Sequence, residues 1–436
     1  MQDQVYRTLR VLCSLVDEFP IGTNLGLVCL FWMMLSGQML RTRGAVIPGL
    51  DALGLSPAAV RRGWAALGQG AWSTPELVAR WHDLVREEQH WQPHVHGGFR
   101  PVAVDLTGFP RPRLANCPTK HYDGKAGKAV PAIPIGLVVR VGRVGTQRLG
   151  IPTAMVRAPE SDPSPEAHAR ALIRQAVAGL KGDEVAIYDR GFHVSMLQAE
   201  HCDRYVVRLP KNFTARRAAL PEYKGTGRRP KYGQLVRPLA RTRQGRVYPA
   251  TPPDGSESWQ DGDVTVQADW WLNLVLVDAT PDQPAFHVVA IADPRYEEPL
   301  LLALPLNVTG EVAGALYHDR WPVEQVPLVA KQMIGAHRQF VHAPETCQRL
   351  PELALVAASV LSYLAAVLPA VPTGFWDRKP QPTSGRLRRV LAKAGFPEDA
   401  VLPPHIREKR SVTGHLPKGY WGQRRKSPAR AVAQVA

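Results

Sequence analysis

The chain has 436 residues, too many for one compact core and enough for two or three, so a multidomain protein is expected. A formal net charge of +16 favours a polyanionic partner, nucleic acid first, because each phosphate neutralised by Lys or Arg releases condensed counterions; the alternative is a merely basic globular protein. Five scattered cysteines (Cys13, Cys29, Cys117, Cys202 and Cys347) without a Cys-x-x-Cys pair argue against a disulfide framework and a structural zinc site, and imply a reducing cytosol.

Residues 1–98 read as a helical DNA-binding region. Ser56-Pro57 and Thr74-Pro75-Glu76 each offer a capping hydroxyl and a proline at a helix start. Residues 50–67 place a short helix, a Gly-containing turn and a second helix carrying Arg61 and Arg62 opposite Val60, Trp64 and Leu67. That pattern suits a helix-turn-helix with both arginines on DNA, or equally a helical hairpin with a solvated basic face. No charged region followed by an apolar stretch and a small-residue cleavage site opens the chain, so secretion has no support. The apolar runs 25–35 and 353–368 fall short of the roughly 20 residues a membrane span needs and read as buried helices, with no membrane partner. His90, His94 and His96 have loose metal-like spacing, but without partner acids or cysteines they read as a loop.

From residue 99 the texture changes. Runs 102–106, 133–141 and 149–157 are rich in Val, Ile and Leu and read as strands. A helix follows at 165–180, then a strand at 184–188, a short helix near 192–200 and a strand at 205–209. Three strands, helix, strand, helix, strand is the order of a ribonuclease-H-like α/β core, assigned to residues 99–210. Residues 211–309 form a basic and β-rich insertion: Arg228, Arg229 and Lys231 sit in a Gly- and Pro-containing loop suited to DNA, and strand-like runs return at 264–271, 272–278, 286–291 and 300–306. Residues 310–372 would complete the core. Residues 373–436 are Pro-rich and basic, ending in the 418–430 run, and are expected to be partly disordered or to fold on DNA.

Three acids carry the chemistry. Asp105 and Asp189 each end an apolar strand, where a carboxylate must be solvated, paired or metal-bound, and adjacent strands of one sheet bring such ends side by side. Taken singly, each is more often a structural turn residue. The third element is the run 317–331, YHDRWPVEQVPLVAK. At 100° per residue Tyr317, Arg320, Glu324 and Lys331 fall at about 0°, 300°, 340° and 320°, one stripe of a single helix, although a polar stripe by itself is normally a solvated face. Asp319 points away from that stripe and is assigned as a helix cap.

These residues resemble bacterial insertion-sequence transposases of the DDE class that carry a Tyr-x2-Arg-x3-Glu-x6-Lys signature. The likeness covers roughly residues 101–368 and rests on VDLTG at Asp105, YDRGF at Asp189 and the 317–331 run. It implies a metal-binding catalytic triad of Asp105, Asp189 and Glu324, and DNA phosphate contacts from Tyr317, Arg320 and Lys331. It also implies a homodimer holding two terminal inverted repeats of double-stranded DNA, and hairpin-mediated cleavage followed by strand transfer into target DNA. The expected cofactor is a pair of Mg²⁺ ions about 3.5–4 Å apart, with Mn²⁺ able to substitute. The compartment implied is the bacterial cytoplasm at the nucleoid. Rival readings are a ribonuclease-H-like nuclease without strand transfer and a domesticated DNA-binding protein. Pro322 is accommodated if a helix starts there, whereas Pro327 implies a bend before Lys331. Trp259, Trp270, Trp271 and Tyr296 are unranked candidates for holding a flipped base.

Overall fold

A computed structural model describes residues 2–124, 126–223, 225–279, 283–397 and 402–407. The basic run at 418–430 lies outside the described residues.

Four principal helices precede the sheet: α1 Gln2–Val16, α2 Thr23–Leu35, α3 Pro57–Gln69 and α4 Thr74–Glu88. The Ser56 hydroxyl accepts from the Ala59 N–H and starts α3 as expected. At α4 the cap is Ser73, one residue before Thr74, with Glu76 closing a capping box. Thr74 instead donates its hydroxyl to Glu352 at 2.7 Å. Helix α2 is apolar all round and buried on nearly every side. Gly26 lets it approach α3, since a Cβ there would stand 2.5 Å from that of Ala66.

The sheet begins with β1 Arg100–Pro110, β2 Lys128–Val144 and β3 Gln147–Arg157, an antiparallel meander. Helix α5, Pro165–Gly179, then crosses over to β4, Glu184–Tyr188, which lies parallel to β1. A short helix, Val194–Ala199, leads to β5, Tyr205–Arg208, parallel to β4. The spatial order is therefore β3-β2-β1-β4-β5. The starts and ends of these elements lie within a few residues of the sequence expectation, except that β1 runs on past Asp105. Parallel pairing of β1 with β4 stops at Val104 opposite Tyr188, while antiparallel pairing with β2 continues to Pro110. Asp105 thus lies mid-strand, at the end of the parallel half only.

Beyond β5 the same sheet continues through β6 Val264–Val275, β7 Phe286–Ala292 and β8 Leu300–Leu304, with β8 antiparallel to β5. The two runs expected at 264–271 and 272–278 are one strand, β6, whose register shifts between Trp271 and Leu274; Asn273 there takes a φ of 50°. An unforeseen strand, Gly255–Asp261, pairs with β6, its composition (GSESWQD) too polar to signal a strand.

Helices α6 Gly310–His318, α7 Trp321–Val329, α8 Pro344–Val367 and α9 Ser384–Ala394 complete the architecture. Leu172, Ile173 and Ala176 of α5 cover one sheet face; the N-terminal helices and α8 share a core with Ile135, Leu137 and Val139 on the other. Helix α8 is long and apolar enough to cross a membrane by length and composition, but 83% of its apolar window is buried inside the protein, as expected of a core helix. Its one deeply buried acid, Glu352, is held by Arg157 Nε at 2.6 Å, Arg157 Nη2 at 2.7 Å and the Thr74 hydroxyl, tying α8 to β3 and α4.

Candidate active site

The parallel register of β1 and β4 fixes the first two acids. With Val104 opposite Tyr188, the next residues of the two strands, Asp105 and Asp189, emerge side by side at the same sheet end. The apolar residues before each are buried on both faces, and both aspartates are only partly exposed; β1 continues beyond Asp105 into the buried Thr107–Phe109 stretch.

The third acid arrives on a broken helix rather than on one continuous stripe. Helix α6 ends at His318 and α7 starts at Trp321 with Pro322 in its first turn, where a missing N–H costs nothing. Pro327 lies inside α7, and Ala330–Ile334 continues as a π-helical turn closed by the Gly335 N–H on the Ala330 carbonyl at 3.1 Å. Tyr317, Glu324 and Lys331 therefore belong to three successive segments, α6, α7 and the π-helical turn. They converge nonetheless. The Tyr317 hydroxyl donates to Asp189 Oδ1 at 3.1 Å, Arg320 Nη1 meets Glu324 Oε1 at 2.6 Å, and Lys331 Nζ donates to the Thr107 hydroxyl of β1 at 2.9 Å.

Burial dominates the electrostatics of these groups, and the charges near them modulate it. Burial raises the Asp105 carboxyl to about 6; the Leu106 N–H and Arg320 oppose the rise, and the charges of Glu324 and Asp189 add to it. Burial works against the charge on Arg320, but its bond to Glu324 and the fields of Tyr317 and Asp189 keep it firmly protonated. Burial, with the Asp189 charge, pushes the Tyr317 phenol up to about 12. Lys331 is lowered by burial against the offsetting pull of Asp105 and Asp123, and its ammonium stands 5.2 Å from the Phe109 ring centroid. The result is three carboxylates facing one guanidinium, flanked by a buried ammonium and a phenol.

The other sequence candidates lie elsewhere. Arg228, Arg229 and Lys231 are exposed in the loop between β5 and β6, with the Arg229 guanidinium 5.5 Å from the Tyr223 ring. Nearby, Arg237, Arg241 and Arg246 gather around the Tyr248 ring at 5.5–5.7 Å. Arg61 is exposed on α3, but Arg62 is only partly so: it turns toward Cys29 of α2, and burial lowers its pKa. Trp64, expected on the buried side, is exposed, because Gly63 and Ala66 rather than Trp64 form the close contact surface. Among the four aromatic candidates, Trp270 and Trp271 are core residues whose indole N–H groups are bound by Glu257 and the Thr251 carbonyl; Trp259 is partly buried and Tyr296 exposed. Trp321, next to Arg320, is exposed and was not singled out by the sequence reading.

Asp319 is the C-cap residue of α6, but its side chain turns to the 94–96 loop, where His94 Nδ1 lies 2.8 Å and His96 Nε2 2.7 Å from Oδ2. The partner acid that the loop lacked in sequence stands more than 200 residues away, a pairing no local spacing reveals. Burial opposes charge on Asp319, yet the bonds from His96 and His94 and the nearby Arg148 hold its carboxyl below the usual range.

Comparison with known proteins assigns no family: no family model matches the chain, and no curated protein matches it.

Proposed function

We propose that this chain is a DDE-class DNA transposase on a ribonuclease-H-like core, cutting at terminal inverted repeats and joining the freed 3′-hydroxyl to target DNA in the bacterial cytoplasm. The observation that carries the reading is the placement of Asp105 and Asp189 at one level of adjacent parallel strands, with Tyr317 on Asp189, Glu324 on Arg320 and Lys331 on Thr107. The three carboxylates do not all stand within 4.8 Å of one another, so a cation would have to draw them together. The strand order β3-β2-β1-β4-β5, three antiparallel then two parallel additions, supports the core assignment.

The donor type suits divalent Mg²⁺ or Mn²⁺: all three groups offer oxygen, and a hard cation would offset the burial, and to a lesser extent the charges of Glu324 and Asp189, that raise the Asp105 carboxyl. Asp105, Asp189 and Glu324 would hold it. When bound, such ions supply a more acidic attacking water or 3′-hydroxyl and a stabilised leaving oxygen. The chain's own residues do the rest. Tyr317 orients Asp189 through its hydroxyl. Arg320, planar and permanently charged, now engages Glu324 and would be free to fork onto a phosphate if Glu324 held a cation instead. Lys331, held on Thr107 in a partly desolvated position, supplies a point charge to the neighbouring phosphate. The exposed cations of the β5–β6 loop extend the positive surface for double-stranded DNA. A homodimer holding two ends belongs to the same proposal.

Glu324→Gln tests it. Terminal-repeat binding should persist while Mg²⁺-dependent cleavage disappears; cleavage retained in the variant refutes the assignment. Strand transfer by wild-type protein on pre-cut ends separates a transposase from a nuclease that only cuts.

A further inference from the structure

We infer that His94, His96 and Asp319 form a second cation site, for a transition-metal ion of the Zn²⁺ class, at the joint between the N-terminal helices and the helix that carries Glu324. One ligand atom from each residue lies within 4.8 Å of the others. Two neutral imidazoles and one carboxylate are a donor set for Zn²⁺, Co²⁺ or Ni²⁺ rather than for Mg²⁺, which demands oxygen. The site therefore differs in chemistry from the all-carboxylate cluster at Asp105, Asp189 and Glu324.

The backbone holds all three ligands in advance. The His94 N–H donates to the Val141 carbonyl of β2, and His96 exchanges both backbone hydrogen bonds with Phe99 across a turn at Gly97 and Gly98, whose φ values are 55° and 85°. Asp319 is fixed by its own N–H, which donates to the Ala315 and Leu316 carbonyls at the end of α6. Its side chain is 1% exposed, and the two rings are 17% and 27% exposed, which leaves the solvent side open for a water as the remaining ligand. The buried Oδ1 has no hydrogen-bond partner; the Arg148 Nε stands 3.3 Å away as an ion-pair neighbour. Tetrahedral bonds of about 2.0–2.1 Å put ligand atoms roughly 3.3 Å apart, so the present 2.7–2.8 Å spacings need open by only about half an ångström. An ion there would clamp the α6–α7 break, where Asp319 is followed directly by Arg320.

The test uses full-length protein without a polyhistidine tag. Zn²⁺ alone is titrated by calorimetry, and Co²⁺ by its visible absorption, into wild type, His94→Ala/His96→Ala and Asp105→Asn/Glu324→Gln, each checked for folding by circular dichroism. Wild type should take one Zn²⁺ per chain, at least tenfold more tightly than the histidine variant, unmoved by excess Mg²⁺, and with a four-coordinate Co²⁺ spectrum. The Asp105→Asn/Glu324→Gln protein should keep both properties. Equal affinity in the histidine variant, no uptake by wild type, or loss in the carboxylate variant instead overturns the assignment. Should the double histidine variant not fold, Asp319→Asn with the same readouts takes its place, and the wild-type Co²⁺ spectrum alone decides if neither folds.

Discussion

The carboxyl of Asp105 should make divalent-metal binding steeply pH-dependent in a range where ordinary carboxylates do not titrate. Burial, with Glu324 and Asp189 close by, raises it from 3.8 to about 6. A cation at the site must displace that proton, so apparent affinity scales with the ionised fraction. For a value of about 6 that fraction is about one eleventh at pH 5 and about ten elevenths at pH 7, a tenfold weaker affinity at the lower pH. A carboxyl left at 3.8 would change affinity by less than about 10% over the same interval. The assay is Mn²⁺ titration followed by electron paramagnetic resonance of the free ion between pH 5 and 7.5, counting only the binding that Asp105→Asn removes. That subtraction excludes the His94, His96 and Asp319 cluster. The linkage to folding runs the same way. Because the folded-state value is raised, the stabilising contribution of this group is complete below 3.8 and is lost as pH rises through about 6. Metal-free protein should therefore lose stability across that window, and Mg²⁺ should restore it above pH 6. A flat Asp105-dependent affinity from pH 5 to 7 refutes the electrostatic account of the cluster.

Two further outcomes test the scaffold and the DNA surface. Arg157→Ala leaves Glu352 charged and buried on α8 with only Thr74 beside it, and should cost about 3–5 kcal/mol in urea unfolding; Arg157→Met/Glu352→Met, which removes both charges, should cost clearly less. Replacing Arg228, Arg229 and Lys231 together by Ala should reduce the slope of log affinity against log salt by up to about 3 for double-stranded DNA, with circular dichroism unchanged.

How much of this was legible in advance depended on whether the signal was local. The strands β4 and β5 announced themselves through short apolar runs, and helix α5 through Ser164-Pro165 at its start, where the Ser164 hydroxyl accepts from the Ala167 N–H, and Gly182 just past its end. The continuation of β1 beyond Asp105 was not visible, because it is stabilised by pairing with β2 only, through the less regular Leu106–Pro110 stretch. The bulge that joins two expected strands into β6 sits at Asn273, which takes a left-handed φ that asparagine tolerates; an Asn inside an apolar run does not by itself announce a bulge. At α3 the sequence grouped Trp64 with Val60 and Leu67, opposite Arg61 and Arg62. The close approach of α2 at Gly26 instead selected the small Ala66, the bare Gly63 leaves room for Leu50, and Arg62 is drawn partly into the interface.

The 317–331 run makes the same point about the candidate site. Its angular arithmetic assumed one straight helix, and there are three segments; yet Tyr317, Arg320, Glu324 and Lys331 still face the ends of β1 and β4. The break explains this better than the stripe did. A continuous helix of 15 residues would be about 22 Å long, too extended for its first and last polar groups to reach neighbouring strands of one sheet, which stand about 4.8 Å apart. With α6 ending at His318, α7 starting at Trp321 and the last turn widened into a π-helix, Tyr317 touches Asp189 while Lys331 touches Thr107. Proline, which in isolation argued against Lys331, is thus part of what brings it in. The turn at Asp319 is then the element on which the geometry depends, and it is held from the outside by His94, His96 and Arg148.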